Sequence, residues 1–100
     1  NFSFTSFSST PQEVVLTGTP NTWAWMNGYA YYYGSDGKAV KWSQKIDGKW
    51  YYFNEQGYCV MNDWVTTGGK WYYCGESGAM VTSQMINGQY YVNINGEWVQ

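Results

Sequence analysis

The fold class that the sequence predicts is all-β: a short solenoid of stacked β-hairpins, about four repeats of ~20 residues. Three observations carry it. Gly28, Gly48, Gly69 and Gly88 step by 20, 21 and 19 residues, and Gly37, Gly57, Gly78 and Gly96 by 20, 21 and 18, so two glycines keep one phase. Between the two glycines of each unit lies an aromatic run: Tyr31-Tyr32-Tyr33, Trp50-Tyr51-Tyr52-Phe53, Trp71-Tyr72-Tyr73-Cys74 and Tyr90-Tyr91-Val92. The apolar residues are also the wrong kind for helices. The chain has seven Trp and eleven Tyr in 100 residues, but Leu16 is its only leucine, which leaves no leucine-rich stripe for a helix bundle.

Each unit reads as a hairpin because aromatic residues suit the pleated surface and a polar turn follows the run. Those turns are Gly34-Ser35-Asp36-Gly37, Asn54-Glu55-Gln56-Gly57 and Gly75-Glu76-Ser77-Gly78. The last glycine of each supplies a positive φ at little steric cost. Second strands are predicted after the turns, at 38–41, 58–61 and 79–82, and a new aromatic then opens the next unit: Trp42, Trp64 and, before Gly28, Trp23. A lone hairpin is barely stable in water, so the units must bury their aromatic faces on one another. A stack of thin hairpins has no deep interior, and broad flat rings are what cover its axis.

Residues 21–100 are assigned to the repeats and 1–20 to a linker or N-terminal cap, being rich in Ser and Thr with Pro11 and Pro20 as punctuation. Phe2 and Phe4 alternate as a strand would, either shielding the first hairpin's edge or belonging to a tether. A chain opening at Asn1 without methionine is read as part of something longer, with an upstream domain expected. The last unit is irregular, with Gln89 where Trp50 and Trp71 stand earlier, as terminal repeats of a solenoid tend to be.

Composition excludes several functions. Five Lys, no Arg and seven acidic residues provide no basic face to displace counterions from nucleic acid. The chain has no His, the usual acid/base near neutral pH and the commonest metal ligand, so neither a metal nor a cofactor is expected. No apolar run approaches the ~18 residues of a membrane span. Asp36, Asp47, Glu55, Asp63, Glu76 and Glu97 fall in or beside turns, where turn chemistry explains them, and no carboxylate pair or EF-hand spacing argues for an enzyme or a calcium site. Cys59 and Cys74 have 14 residues between them. They either close a disulfide, worth about 3 kcal/mol if the geometry permits, or are two half-buried thiols replacing the Met and Phe of sister repeats; the second is preferred.

The strings Ile46-Asp47-Gly48-Lys49-Trp50-Tyr51-Tyr52-Phe53-Asn54-Glu55-Gln56-Gly57 and Gly69-Lys70-Trp71-Tyr72-Tyr73-Cys74-Gly75-Glu76-Ser77-Gly78-Ala79-Met80 resemble the cell-wall-binding repeat superfamily. That superfamily includes the choline-binding modules of Gram-positive surface proteins and phage lysins, and the related glucan-binding and clostridial-toxin repeats. The resemblance covers about residues 23–100. In the choline-binding branch it implies ligand sites between consecutive hairpins, each built from two Trp of one repeat, a Tyr of the next and often a Met. Ring faces hold a quaternary ammonium, which offers no strong hydrogen bond, at roughly 0.5–2 kcal/mol apiece. Carried over, one cage takes Trp42 and Trp50 with Tyr72 or Tyr73 and Met80; the next takes Trp64 and Trp71 with Tyr90 or Tyr91 and Met85. A cage between the first two units lacks its second Trp, because Ala30 stands there, with Trp25 as the nearest substitute. The bland alternative for every one of these rings is plain hairpin stacking. The family often places Gly before the inter-repeat Trp, whereas this chain has Lys41-Trp42 and Asp63-Trp64, and Ala39 and Cys59 stand where Met80 keeps the family's Met.

The function so implied is a non-catalytic, extracellular attachment module of a Gram-positive bacterium or its phage, binding choline of teichoic acid or a related wall polymer. The alternatives are glucan- or carbohydrate-binding repeats, a toxin-like receptor module, and a ligand-free spacer or homodimerisation module.

Overall fold

The structure, a computed structural model, describes residues 16–100. The expected Phe2/Phe4 strand, and the linker as far as residue 15, lie outside the described residues. Nine strands run in order: β1 (Thr22–Met26), β2 (Tyr29–Tyr33), β3 (Trp42–Ile46), β4 (Lys49–Phe53), β5 (Asp63–Thr67), β6 (Lys70–Cys74), β7 (Gln84–Ile86), β8 (Tyr90–Val92) and β9 (Trp98–Val99). They pair as the antiparallel hairpins β1-β2, β3-β4 and β5-β6 and the three-stranded β7-β8-β9. The all-β stack of hairpins that the sequence predicts is what forms.

The hairpin turns, however, sit at the other glycine. Chain reversal occurs at Asn27-Gly28, Asp47-Gly48 and Gly68-Gly69, each a two-residue loop between paired strand ends such as Ile46 and Lys49. Both central residues have positive φ, for example 53° at Asp47 and 82° at Gly48, as a type I′ turn requires. That backbone twist matches the right-handed twist of the strands, so Asx-Gly and Gly-Gly set the register. The second strands predicted at 38–41, 58–61 and 79–82 shrink to single bridges, Tyr33 with Ala39, Phe53 with Cys59 and Cys74 with Met80. In the last unit the equivalent segment lengthens into β9.

The polar turns remain, each closed by an Asn or Gly carbonyl: Gly57 N–H donates to Asn54 O and Gly78 N–H to Gly75 O. Their glycines serve the stack. A Cβ on Gly78 would lie 2.6 Å from Cys59 Sγ, and one on Gly96 3.1 Å from Met80 Sδ, so the bare α-carbon of one unit rests on the side chain two places after the corresponding glycine of the unit before. Successive units are also joined through backbone: Cys59 N–H donates to Ala30 O at 2.8 Å and Met80 N–H to Trp50 O at 2.8 Å. Ala39 N–H makes the same bond to Leu16 O, which puts Leu16 where Ala30 and Trp50 stand in later units. The core runs along the axis through the last residue of each aromatic run, Tyr33, Phe53, Cys74 and Val92, all buried.

Candidate functional site: aromatic clefts between hairpins

Register decides which side chains meet between units. Trp23 pairs with Tyr32 and Trp64 with Tyr73; the corresponding partner of Tyr52 is Ser43, and that of Tyr91 is Met85. Trp42 pairs with Phe53, one residue ahead of the position held by Trp23 and Trp64. The cause is a shorter connection: β3 begins five residues after Gly37, whereas β5 and β7 begin six after Gly57 and Gly78. Asn62 and Ser83 take the left-handed conformation just before their strands, but in the second unit it falls on Trp42 itself, at φ 68°. A bulky residue in that conformation is strained by roughly 1–2 kcal/mol. Trp42 is half exposed, its ring 6.2 Å from that of Tyr52.

The three interfaces then differ in kind. At the first, Trp23 meets Tyr51 edge-on at 5.0 Å, also touches Tyr32 at 5.2 Å, and packs against the buried cluster of Ala30, Ile46, Phe53 and Cys59. Trp25, opposite Ala30, is 65% exposed and does not rebuild a cage. At the second, Trp50, Tyr72 and Met80 converge on a cavity of about 270 Å³ that Ser43 and Thr67 also line. Of the residues expected there, Trp42 is displaced by its register and Tyr73 packs instead on Trp64, at 5.1 Å.

At the third, Trp64, Tyr90 and Trp98 stand steeply to one another: 5.7 Å and 85° for Trp64 with Tyr90, 6.0 Å and 76° for Tyr90 with Trp98, 6.4 Å and 63° for Trp64 with Trp98. Trp71 shares the Trp64 face of the β5-β6 hairpin and is 46% exposed. Met85 and Tyr91 pair with each other on the outer face of the last hairpin, in the register that Trp64 and Tyr73 hold one unit earlier, and are not brought to this cleft. Trp98 was not expected from the sequence. It lies two residues after Gly96, as Met80 does after Gly78, and that offset was the available signal. The segment bearing it is held by Glu97, whose carboxylate pairs with Lys70 Nζ at 4.0 Å and accepts from Asn93 Nδ2 at 3.2 Å.

Cys59 and Cys74 are free, so the disulfide alternative is set aside. They occupy non-equivalent places: Cys59 follows a turn glycine, as Met80 does, and Cys74 ends an aromatic run, as Phe53 does. Burial pushes the Cys59 thiol from 9.0 up to about 11. Burial, with the charge of Cys59 adding, pushes Cys74 up to about 12. Neutral thiols are favoured in the folded state, so their contribution to stability is complete below pH 9.0 and drains away as pH rises through about 11 and 12. The urea midpoint is expected to fall more steeply above pH 9.0 than in a Cys59→Ala/Cys74→Val variant, and iodoacetamide at pH 8 to modify neither thiol before unfolding. Parallel midpoint curves for the two proteins would remove the thiols from the alkaline response.

Among the described residues no group of His, Cys, Asp and Glu is placed to hold a metal ion, and no helix is long and apolar enough to cross a membrane.

A stack of hairpins with ring-lined clefts between its units defines a class of protein, the repeat module that binds through its interfaces. The chain belongs to the choline-binding repeat family. The family's repeat pattern matches residues 43–84. The choline-binding domain of Spr1274 from Streptococcus pneumoniae is 41% identical, with 82% of this chain and 96% of that one covered and a TM-score of 0.72. CbpJ from Streptococcus pneumoniae is 35% identical over 77% of this chain and 26% of its own, with a TM-score of 0.69. The multimodular pneumococcal cell wall endolysin of phage Cp-1, in a structure complexed with choline, is 32% identical over 89% of this chain and 27% of its own, with a TM-score of 0.72. The chain therefore spans about a quarter of the length of the last two. A search of curated protein sequences found no match. Choline-binding repeat domains are binding modules.

Proposed function

We propose that this module binds choline displayed on a cell-wall polymer such as teichoic acid, and that the working cage is the third interface, built by Trp64, Tyr90 and Trp98 with Trp71 at its mouth. The observation that carries the reading is the mutual geometry of the three rings. A cation about 4.5 Å above each of two perpendicular ring faces sets their centroids about 6.4 Å apart, within the reach of cation–π attraction. The separations of 5.7–6.4 Å and angles of 63–85° fit that arrangement, and they are wider than the 5.0 Å of Trp23 with Tyr51, although all of these pairs stand edge-to-face. Charge supports the same choice: the residue opposite Trp71 is neutral Thr66, and the net charge of the chain is −2.

On this reading the module is extracellular and wall-associated, performs no catalysis itself and tethers whatever domain it is fused to. Each contact is weak, and a polymer presenting many cholines raises retention through effective concentration. Calorimetry with choline, tetramethylammonium and the neutral isostere of choline with carbon in place of nitrogen tests it. Saturable binding of both cations and not of the isostere is expected; equal binding of the isostere would reduce the cleft to a greasy surface.

A further inference from the structure

We infer that the second interface is a separate site for a neutral pyranose ring: one sugar unit of a glycan stacks on Trp50 inside the cavity that Ser43 leaves open, while the cation occupies the third interface.

Room is the first argument. Register puts Ser43 where Trp23 and Trp64 stand in the neighbouring units, and the space of the missing indole is part of a cavity of about 270 Å³. Trp23 and Trp64 each touch several rings, but among the described residues Trp50 and Tyr72 meet no other ring, so their faces in the cavity are free to be covered. Trp50 is 44% exposed.

The second argument is the chemistry of the wall. An ammonium head is best held by ring faces on every side and makes no use of hydroxyls or amides. A pyranose presents one apolar face, suited to a flat ring, and a rim of hydroxyls that need donors and acceptors. Around this cavity Ser43, Thr67 and Asn95 add polar groups to a lining that is otherwise aromatic and apolar, with Tyr51, Tyr52, Val65 and Cys74 beside Trp50, Tyr72 and Met80.

The third argument is charge. Lys45 lies directly across the β3-β4 ladder from Trp50, on the same face, so an ammonium stacked on Trp50 would sit beside a like charge. The equivalent neighbour of Trp71 is Thr66. A neutral sugar is indifferent to Lys45, and a cation is not.

The chain carries methionines at 26, 61, 80 and 85, of which Met80 lines this cavity, so methyl-labelled methionine NMR reads the site directly. N-acetylglucosamine and glucose are each titrated into the folded chain, and choline separately. The expected result is a saturable shift of the Met80 methyl with at least one sugar, an unmoved Met85, and no shift of Met80 with choline. Trp50→Ala is expected to weaken the sugar response about tenfold while the choline isotherm stays within about twofold. Ser43→Trp, which restores the ring and fills the cavity, is expected to abolish the sugar response and to leave the choline isotherm within about twofold. A Met80 methyl that neither sugar moves, or from which choline displaces the sugar, overturns the inference. A sugar response with choline silent throughout would instead overturn the choline cage and leave this site standing.

Discussion

A Trp98→Ala variant is expected to bind choline up to about 30-fold more weakly than the parent. Trp98 supplies one of the three steep ring faces of the third interface, at 6.0 Å from Tyr90 and 6.4 Å from Trp64. A desolvated cation–π contact is worth up to about 2 kcal/mol, which is about 30-fold in affinity. The ring lies on the two-residue strand β9, so its removal disturbs less packing than removal of Trp64, which touches Tyr73, Tyr90 and Trp98. Trp98→Phe is expected to fall between, because a smaller ring offers a weaker face. Trp25→Ala serves as the control: 65% exposed and set at the closed first interface, it is expected to leave the isotherm unchanged. Choline affinity surviving in Trp98→Ala would mean that Trp98 merely covers the end of the cleft, and that the cage must be sought around Trp71.

The second large effect concerns stability. Gly78→Ala is expected to destabilise the chain by about 2–5 kcal/mol: roughly 1–2 for forcing an L side chain to φ +90° and about 1–3 for driving a methyl to 2.6 Å from Cys59 Sγ. Gly48→Ala separates the two causes. Its φ is +82° but no atom lies within 4 Å of the added carbon, so the loss is expected to be only the conformational part. Denaturant midpoints of both variants, with Gly78→Ala repeated in a Cys59→Ala background, form a cycle. If trimming Cys59 restores none of the loss, the close approach between units is not what the second glycine serves. Against a total of about 5–15 kcal/mol, the larger figure would unfold much of the population.

These outcomes show where the sequence could be read and where it could not. Period and residue type are one-dimensional properties, and they sufficed for the all-β hairpin stack; the grouping of Trp50, Tyr72 and Met80 came from the family resemblance, and the three line one cavity. Phase is harder. Asn27-Gly28 and Asp47-Gly48 are strong type I′ signals, yet the polar turns ending in Gly37 and Gly57 compete with them as reversal points, and only strand pairing decides. Trp42 misled for a related reason: aligned as an aromatic opening its unit it matches Trp64, but one missing residue after Gly37 moves it off the cleft and gives the place to Ser43. Trp98 stood outside the aromatic runs. Its membership of the third interface follows from the offset after Gly96 and from β9, the one post-turn segment that lengthens into a strand. The cysteines were legible as substitutes for a Met and a Phe, since each simply occupies its repeat position.

The units touch through side chains and, at each of two junctions, through a backbone bond, Cys59 to Ala30 and Met80 to Trp50. Under tension along the stack such a molecule would behave as a row of small fasteners in series. A load between its ends is carried by every junction alike until the weakest gives way, and each hairpin that lets go would add up to about 70 Å of slack from its ~20 residues and relax the load on the rest. The extension would rise in steps, and the hairpins not yet opened would keep their clefts intact.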